Sequence, residues 1–169
     1  TVDLRKCNLR LPDTKLLSFM CETLQIDTLN LSWNFMHSTV ISPILKVLTY
    51  NNMACLDLSW CKIGDGLTHE LGQILPKLKK LRKLSIRGNR LNPLGFEAFS
   101  EGLKCNRSIK VLDAGFNNCK LDGATALGNA LEDNNVIETI ELRSCNIGAN
   151  GALVLSRKLR RCNNLTTLI

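Results

Sequence analysis

A single apolar pattern returns at nearly constant spacing from one end of this chain to the other. The segment Ile26-Asp-Thr-Leu29-Asn-Leu31-Ser-Trp-Asn34-Phe-Met36 has counterparts at Met53…Leu56-x-Leu58…Cys61-x-Ile63 and Leu81…Leu84-x-Ile86…Asn89-x-Leu91. Two more follow at Ile109…Leu112-x-Ala114…Asn117-x-Cys119 and Ile137…Ile140-x-Leu142…Cys145-x-Ile147. A first copy enters partway through as Val2-x-Leu4…Cys7-x-Leu9, and a last begins at Leu165…Leu168. With Val2, Leu29, Leu56, Leu84, Leu112, Ile140 and Leu168 as marks, the period is 27 residues twice and 28 thereafter. Six copies and the start of a seventh fill the 169 residues. A unit of this size cannot bury its own apolar face, so the copies must stack on one continuous core.

Each copy holds two periodicities. Apolar residues alternate first, so Leu29 and Leu31 point one way while Thr28, Asn30 and Ser32 point the other, as in a short strand. Helical spacing follows, as in Gly123-Ala-Thr-Ala126-Leu127…Ala130-Leu131 and Gly95-Phe-Glu-Ala98-Phe99…Leu103. The expected architecture is α/β: a solenoid with a curved parallel sheet on the concave face and helices on the convex face. Asn34, Asn89 and Asn117, with Cys7, Cys61 and Cys145, fall in the turn after each strand. Buried backbone groups need partners there, and Asn both donates and accepts while Cys is a small buried thiol. Ala114 and Cys119 stand where other copies carry larger residues, which predicts a looser fifth repeat. Pro43 falls near the predicted start of the second helix, and Pro76 ends the third early.

The recurring L-x-x-L-x-L-x-x-N/C-x-L resembles the leucine-rich repeat family over essentially the whole chain. Its period of 27–28 residues is similar to the ribonuclease-inhibitor type, in which the resemblance implies a full helix after each strand. Ribonuclease inhibitors, intracellular immune receptors, Ran-type GTPase activators and many scaffolds share that type. The resemblance therefore constrains fold more tightly than function. Residues 1–169 read as one repeat segment. The missing initiator Met at Thr1 and the absence of a polar cap at either end predict a segment of a longer chain.

Composition narrows the classes that remain. Apolar residues make up 44% and charged residues 22%, too apolar for a disordered chain. No apolar run approaches the length of a membrane span, and the first residues do not resemble a signal peptide. The net charge of +7 excludes a strongly acidic protein without establishing nucleic-acid binding. The register assigns Cys7, Cys61 and Cys145 to a buried ladder, Cys21 and Cys119 to the core, Cys105 and Cys162 to helix ends, and Cys55 to the inner face. Free thiols in those places predict a reducing compartment, cytoplasm first and nucleus as the alternative. The sequons at Asn30, Asn106 and Asn164 are accordingly read as accidental. His37 and His69 lie in different repeats, and neither completes a zinc spacing or a nucleophile–base pair. No catalytic residue, cofactor site or metal site is expected.

The residues that the repeat does not need carry the functional expectation. Both Trp of the chain, Trp33 and Trp60, occupy the same repeat position in adjacent copies, Phe116 takes it two copies later, and Phe35 lies beside Trp33. Gly88 is expected to leave a gap between Trp60 and Phe116. Exposed aromatics of this kind make interaction hot spots. Beside them run an acidic row including Asp57, Asp113 and Glu141 and a basic row including Arg87 and Arg143. These nine residues are the candidate site for a protein or peptide partner on the concave face. Two alternatives stand: a regulatory repeat domain of a GTPase activator or immune-type receptor, and nucleic-acid binding through basic convex patches. Those patches are Lys77, Lys79, Lys80, Arg82 and Lys83, and Arg157, Lys158, Arg160 and Arg161.

Overall fold

Every register mark of the repeat lies in a strand. The computed structural model describes residues 1–36, 38–49 and 52–169, and His37 lies outside them. The strands are β1 (Val2–Asp3), β2 (Thr28–Asn30), β3 (Cys55–Asp57), β4 (Lys83–Ser85), β5 (Val111–Asp113), β6 (Thr139–Glu141) and β7 (Thr167–Leu168). They form one parallel sheet in chain order, with Val2 opposite Leu29, Leu29 opposite Leu56, and so on to Ile140 opposite Leu168. Helices alternate with them: α1 (Leu11–Thr23), α2 (Ser38–Leu48), α3 (Gly64–Ile74), α4 (Pro93–Cys105), α5 (Lys120–Asp133) and α6 (Gly148–Leu159). The arrangement is the expected solenoid, sheet inside and helices outside.

Between the two layers lies one apolar core. Leu29, Leu31, Leu56, Leu58, Leu84, Ile86, Leu112 and Ile140 face it from the strands, and Leu71, Phe96, Phe99, Leu127 and Leu155 from the helices. The fifth repeat is not loose: Ala114 and Cys119 are fully buried. The Phe96 side chain, from the preceding copy, and Cys119 both pack close against Gly123. Pro43 lies inside α2 rather than near its start, whereas Pro76 does end α3, turning it into a short 3-10 segment at Leu75–Lys77.

The turn after each strand is held as the residues predict. Asn89 Oδ1 accepts from the Cys61 N–H at 2.8 Å, and its Nδ2 donates to the Leu58 carbonyl at 2.7 Å. Asn117 repeats this one copy on, accepting from Asn89 N–H at 2.9 Å and donating to Ile86 O at 3.1 Å. Cys61 and Cys145 take the same place and donate through Sγ to Leu31 O and Ala114 O, both at 3.2 Å. Cys7 does not join them. It is exposed, because no copy precedes it in the described structure to cover that turn.

A second ladder, on the opposite edge of the sheet, escapes the repeat motif. Asn106 Nδ2 donates to Leu75 O at 2.6 Å, Asn134 Nδ2 to Leu103 O at 2.8 Å, and Cys162 Sγ to Leu131 O at 3.1 Å. Asn106 and Asn134 also accept backbone N–H groups two and three residues ahead, closing the turn from helix to strand. The substitution of Cys for Asn recurs here at the same 28-residue spacing, which was the available signal. Asn106 is thus a buried structural side chain, and its sequon is sealed within the fold.

Burial sets the thiol chemistry. It pushes Cys61 and Cys119 up to about 12, and raises Cys21, Cys145 and Cys162 as well. Under native conditions near neutral pH, maleimide labelling followed by mass spectrometry should modify Cys7 and Cys105 first, with Cys61 and Cys119 labelled only after denaturation. The same shift makes the folded state bind protons more tightly than the unfolded one. Stability present below pH 9 is therefore lost as pH rises from about 9 toward 12, measurable as a falling denaturation midpoint.

Candidate partner-binding rim

Past each strand the backbone reverses to bury its Asn or Cys, and the residue that makes the reversal is left-handed. Lys6, Trp33, Trp60, Gly88, Phe116 and Ser144 hold this one repeat position, with φ between 55° and 64°. Gly adopts such a conformation freely, whereas an L-residue with a side chain pays roughly 1–2 kcal/mol there. Only the fourth copy uses Gly. Three aromatics therefore stand at a rim where the fold itself favours no side chain.

The rings form one cluster. Trp33 and Trp60 stack with centroids 5.2 Å apart and planes 21° from parallel, and Trp60 meets Phe116 at 5.6 Å and 53°. The expected gap at Gly88 is filled: a Cβ there would come within 2.4 Å of the Trp60 ring. Lacking a side chain, Gly88 lets Trp60 lean across the fourth copy and reach Phe116. Trp33 remains 51% exposed and Phe35 61%, whereas Phe116 is 39% exposed and Trp60 half-buried. A groove of about 590 Å³ opens among Trp33, Phe35, Trp60, Phe116, Lys62 and Arg90. Left-handed strain at this position predicts that Trp33→Gly is more stable than Trp33→Ala by about 1 kcal/mol, read from paired denaturant titrations.

The charged rows have other duties. Asp57 Oδ1 accepts the Ser59 N–H at 2.8 Å and Asp113 Oδ1 accepts the Gly115 N–H at 3.0 Å, each fixing the backbone just before the left-handed residue. Asn30 and Asp3 do the same for Ser32 and Arg5, and the Arg5 side-chain hydrogen bond lowers the pKa of the Asp3 carboxyl. The row therefore has a role in the turn besides the one expected of it at the surface. The signal was the short polar acceptor two residues before each small or polar residue. Arg87 reaches Asp113 at 3.5 Å and Glu141 at 3.6 Å, and its guanidinium covers Phe116 at 4.2 Å. Arg143 is exposed and has no ion pair among the described residues.

The basic patches are more divided than expected. Lys83 opens β4 in register with Cys55 and Val111, placing it on the concave sheet rather than the outer half. Lys104 pairs with Asp133 at 3.0 Å, while Lys158 and Arg161 share Glu132 at 2.6 and 3.2 Å. Lys110 pairs with Glu138. His69 is exposed on α3 beside Gln73. Among the described residues no cluster of three His, Cys, Asp or Glu side chains could hold a metal ion, and no helix is long and apolar enough to cross a membrane.

Comparison with known proteins places this geometry in context. The family described as "Leucine Rich repeat" matches residues 48–66 and 133–156. The mouse protein "NACHT, LRR and PYD domains-containing protein 14" is 34% identical over 115 residues, 67% of this chain and 12% of that protein. Human "Protein NLRC5" is 36% identical over 72 residues, 40% of this chain and 4% of that protein. The matched segments are thus a small fraction of both relatives. Among solved structures, the tropomodulin C-terminal domain of Caenorhabditis elegans superposes with a TM-score of 0.71, covering 88% of this chain and 92% of that one. Leiomodin-1 actin-binding site 2 superposes at 0.54, covering 94% and 75%. Both are 15% identical to this chain, and what they share with it is the fold.

Proposed function

This chain is a leucine-rich repeat protein, and from that premise we propose that it is a non-catalytic recognition module holding a protein or peptide partner at the aromatic rim of its concave face. The observation that carries the reading is the strained, stacked and partly exposed cluster of Trp33, Trp60 and Phe116, with Phe35 beside it. Large rigid rings bury much apolar area on binding at little entropic cost, and fold stability alone would favour Gly at their positions. Asp57, Asp113 and Glu141, with Arg87 and Arg143, complete the charged flank of the site. Affinity capture should compare the wild type with Trp33→Gly/Trp60→Gly, both folded by circular dichroism. Glycine suits the backbone there, so the variant should fold while its partner recovery falls at least tenfold. Equal recovery of the same partners by the folded variant overturns the reading.

The sequence relatives favour a second, compatible reading. Both are far longer than the segment matched, and the first is named for domains besides its repeats. On this reading the chain is the regulatory repeat region of a multidomain, intracellular receptor-type protein. An antibody against residues 1–169 checks it. Detection of an endogenous species much larger than 18.8 kDa fits, and one near 18.8 kDa contradicts it.

A further inference from the structure

We propose that the segment held at this rim is acidic: an extended stretch of a protein partner that sets apolar side chains among Trp33, Phe35, Trp60 and Phe116 and carboxylates against the cations around them. This rests on the docking reading above and specifies its chemistry. The groove is lined by two cations, Lys62 and Arg90, and by no carboxylate. The peripheral rings each carry a cation: Lys6 lies 5.5 Å from the Trp33 centroid, Lys62 3.8 Å from Phe35, and Arg87 4.2 Å from Phe116. A cation over a ring keeps N–H donors free for an incoming carboxylate.

Arg87 is already paired with Asp113 and Glu141, which leaves Lys6, Lys62 and Arg90 for a partner. Lys6, Lys62 and Arg90 are exposed and make no ion pair among the described residues, whereas Lys104, Lys110, Lys158 and Arg161 on the other surfaces are paired. Of the concave acids, Asp113 and Glu141 are paired with Arg87, and Asp57, bonded to Ser59, does not line the groove. Lys62 and Arg90 also hold left-handed backbone, at φ 54° and 62°, where long side chains gain nothing from the fold. Positive potential and apolar surface therefore coincide at one rim, and an acidic segment with apolar residues complements both.

A single-stranded nucleic acid is also anionic and flat-faced, but it needs open ring faces on which bases can stack. Here Trp33 and Trp60 cover each other, Trp60 lies against Gly88, Lys62 covers Phe35 and Arg87 covers Phe116. What stays open is about half of Trp33 and most of Phe35, each beside a lysine, which suits the apolar and acidic side chains of a peptide.

The test is a random 12-residue phage-display selection on the full chain, followed by fluorescence anisotropy of the most enriched peptide and of a 12-nucleotide oligothymidine. The expected result is enrichment of Asp or Glu around Phe, Trp, Leu or Met. Binding should weaken at least tenfold in Lys62→Glu/Arg90→Glu and fall with added salt. Enrichment of neutral or basic apolar peptides that still require Trp33 and Phe116 overturns the acidic specificity and leaves the docking reading standing. Binding indifferent to Trp33→Gly and Phe116→Gly, or no enrichment at all, overturns both. Oligothymidine binding tighter than the peptide's, through the same residues, overturns the peptide assignment.

Discussion

Asn117→Ala should be among the most damaging single substitutions in this chain, lowering stability by about 4 kcal/mol. Its amide accepts the N–H groups of Asn89 at 2.9 Å and Leu91 at 3.1 Å, and donates to the carbonyls of Ile86 at 3.1 Å and Ala114 at 2.9 Å. Alanine would take that partner from all four, and each buried group left unmade costs roughly 1–3 kcal/mol. Carbonyls with a second partner sit at the low end of that range, which sets the total near 4 rather than higher. Asn117→Cys should cost about half as much. In the copies that use Cys, the thiol donates to the neighbouring carbonyl, and the Cys backbone carbonyl accepts in place of Oδ1, from Met36 N–H at Cys61 and from Cys119 N–H at Cys145. For a chain of this length the Ala variant should melt on the order of 10 °C lower. Equal midpoints for Ala and Cys would show that the ladder hydrogen bonds contribute little.

Gly102→Ala should destabilise the solenoid by roughly 2–3 kcal/mol, against its helix propensity. In an isolated helix the change would gain about 1 kcal/mol, because Gly is a poor helix former. Here α3 and α4 approach so closely that a Cβ on Gly102 would lie 1.9 Å from the Gly72 carbonyl oxygen. A reciprocal Cβ on Gly72 would lie 2.4 Å from the Ala98 carbonyl oxygen. Both obstacles are backbone, so no side chain can rotate away and the helices must separate, opening the core around Phe96, Phe99 and Leu71. Gly66 is an internal contrast, since nothing lies within 4 Å of a Cβ there. Denaturant titration of Gly66→Ala should show no loss of stability while Gly102→Ala loses its full share.

The strand register was readable to the residue, because a repeat that misplaces one apolar position turns its whole strand over. The Asn and Cys turn positions were equally legible, as the need to satisfy buried backbone admits few side chains. Spatial features that no single copy encodes were harder to see. The left-handed conformation at Trp33, Trp60 and Phe116 follows from how the chain reverses over the next copy, and Gly88 was the sole residue announcing it. The Trp60 ring filling the place above Gly88 depends on two copies together. The backbone hydrogen bonds of Asp57 and Asp113 were not legible, because alternation reports which face a residue takes, not which neighbour it bonds. The ladder of Asn106, Asn134 and Cys162 was harder to read because it lies at the helix ends, outside the strand motif that defines the repeat.

Partners are expected to dock at the aromatic rim. Site-specific photo-crosslinking tests it directly. A benzophenone amino acid would replace Phe35, 61% exposed at the rim, or Leu153, 49% exposed on α6 of the convex face. Both sites are open enough to leave the fold intact. Irradiation in cells should give discrete protein adducts from position 35 that disappear when Trp33→Gly/Trp60→Gly is added, and none of those adducts from position 153. The same adducts from position 153, or none from position 35, would contradict it.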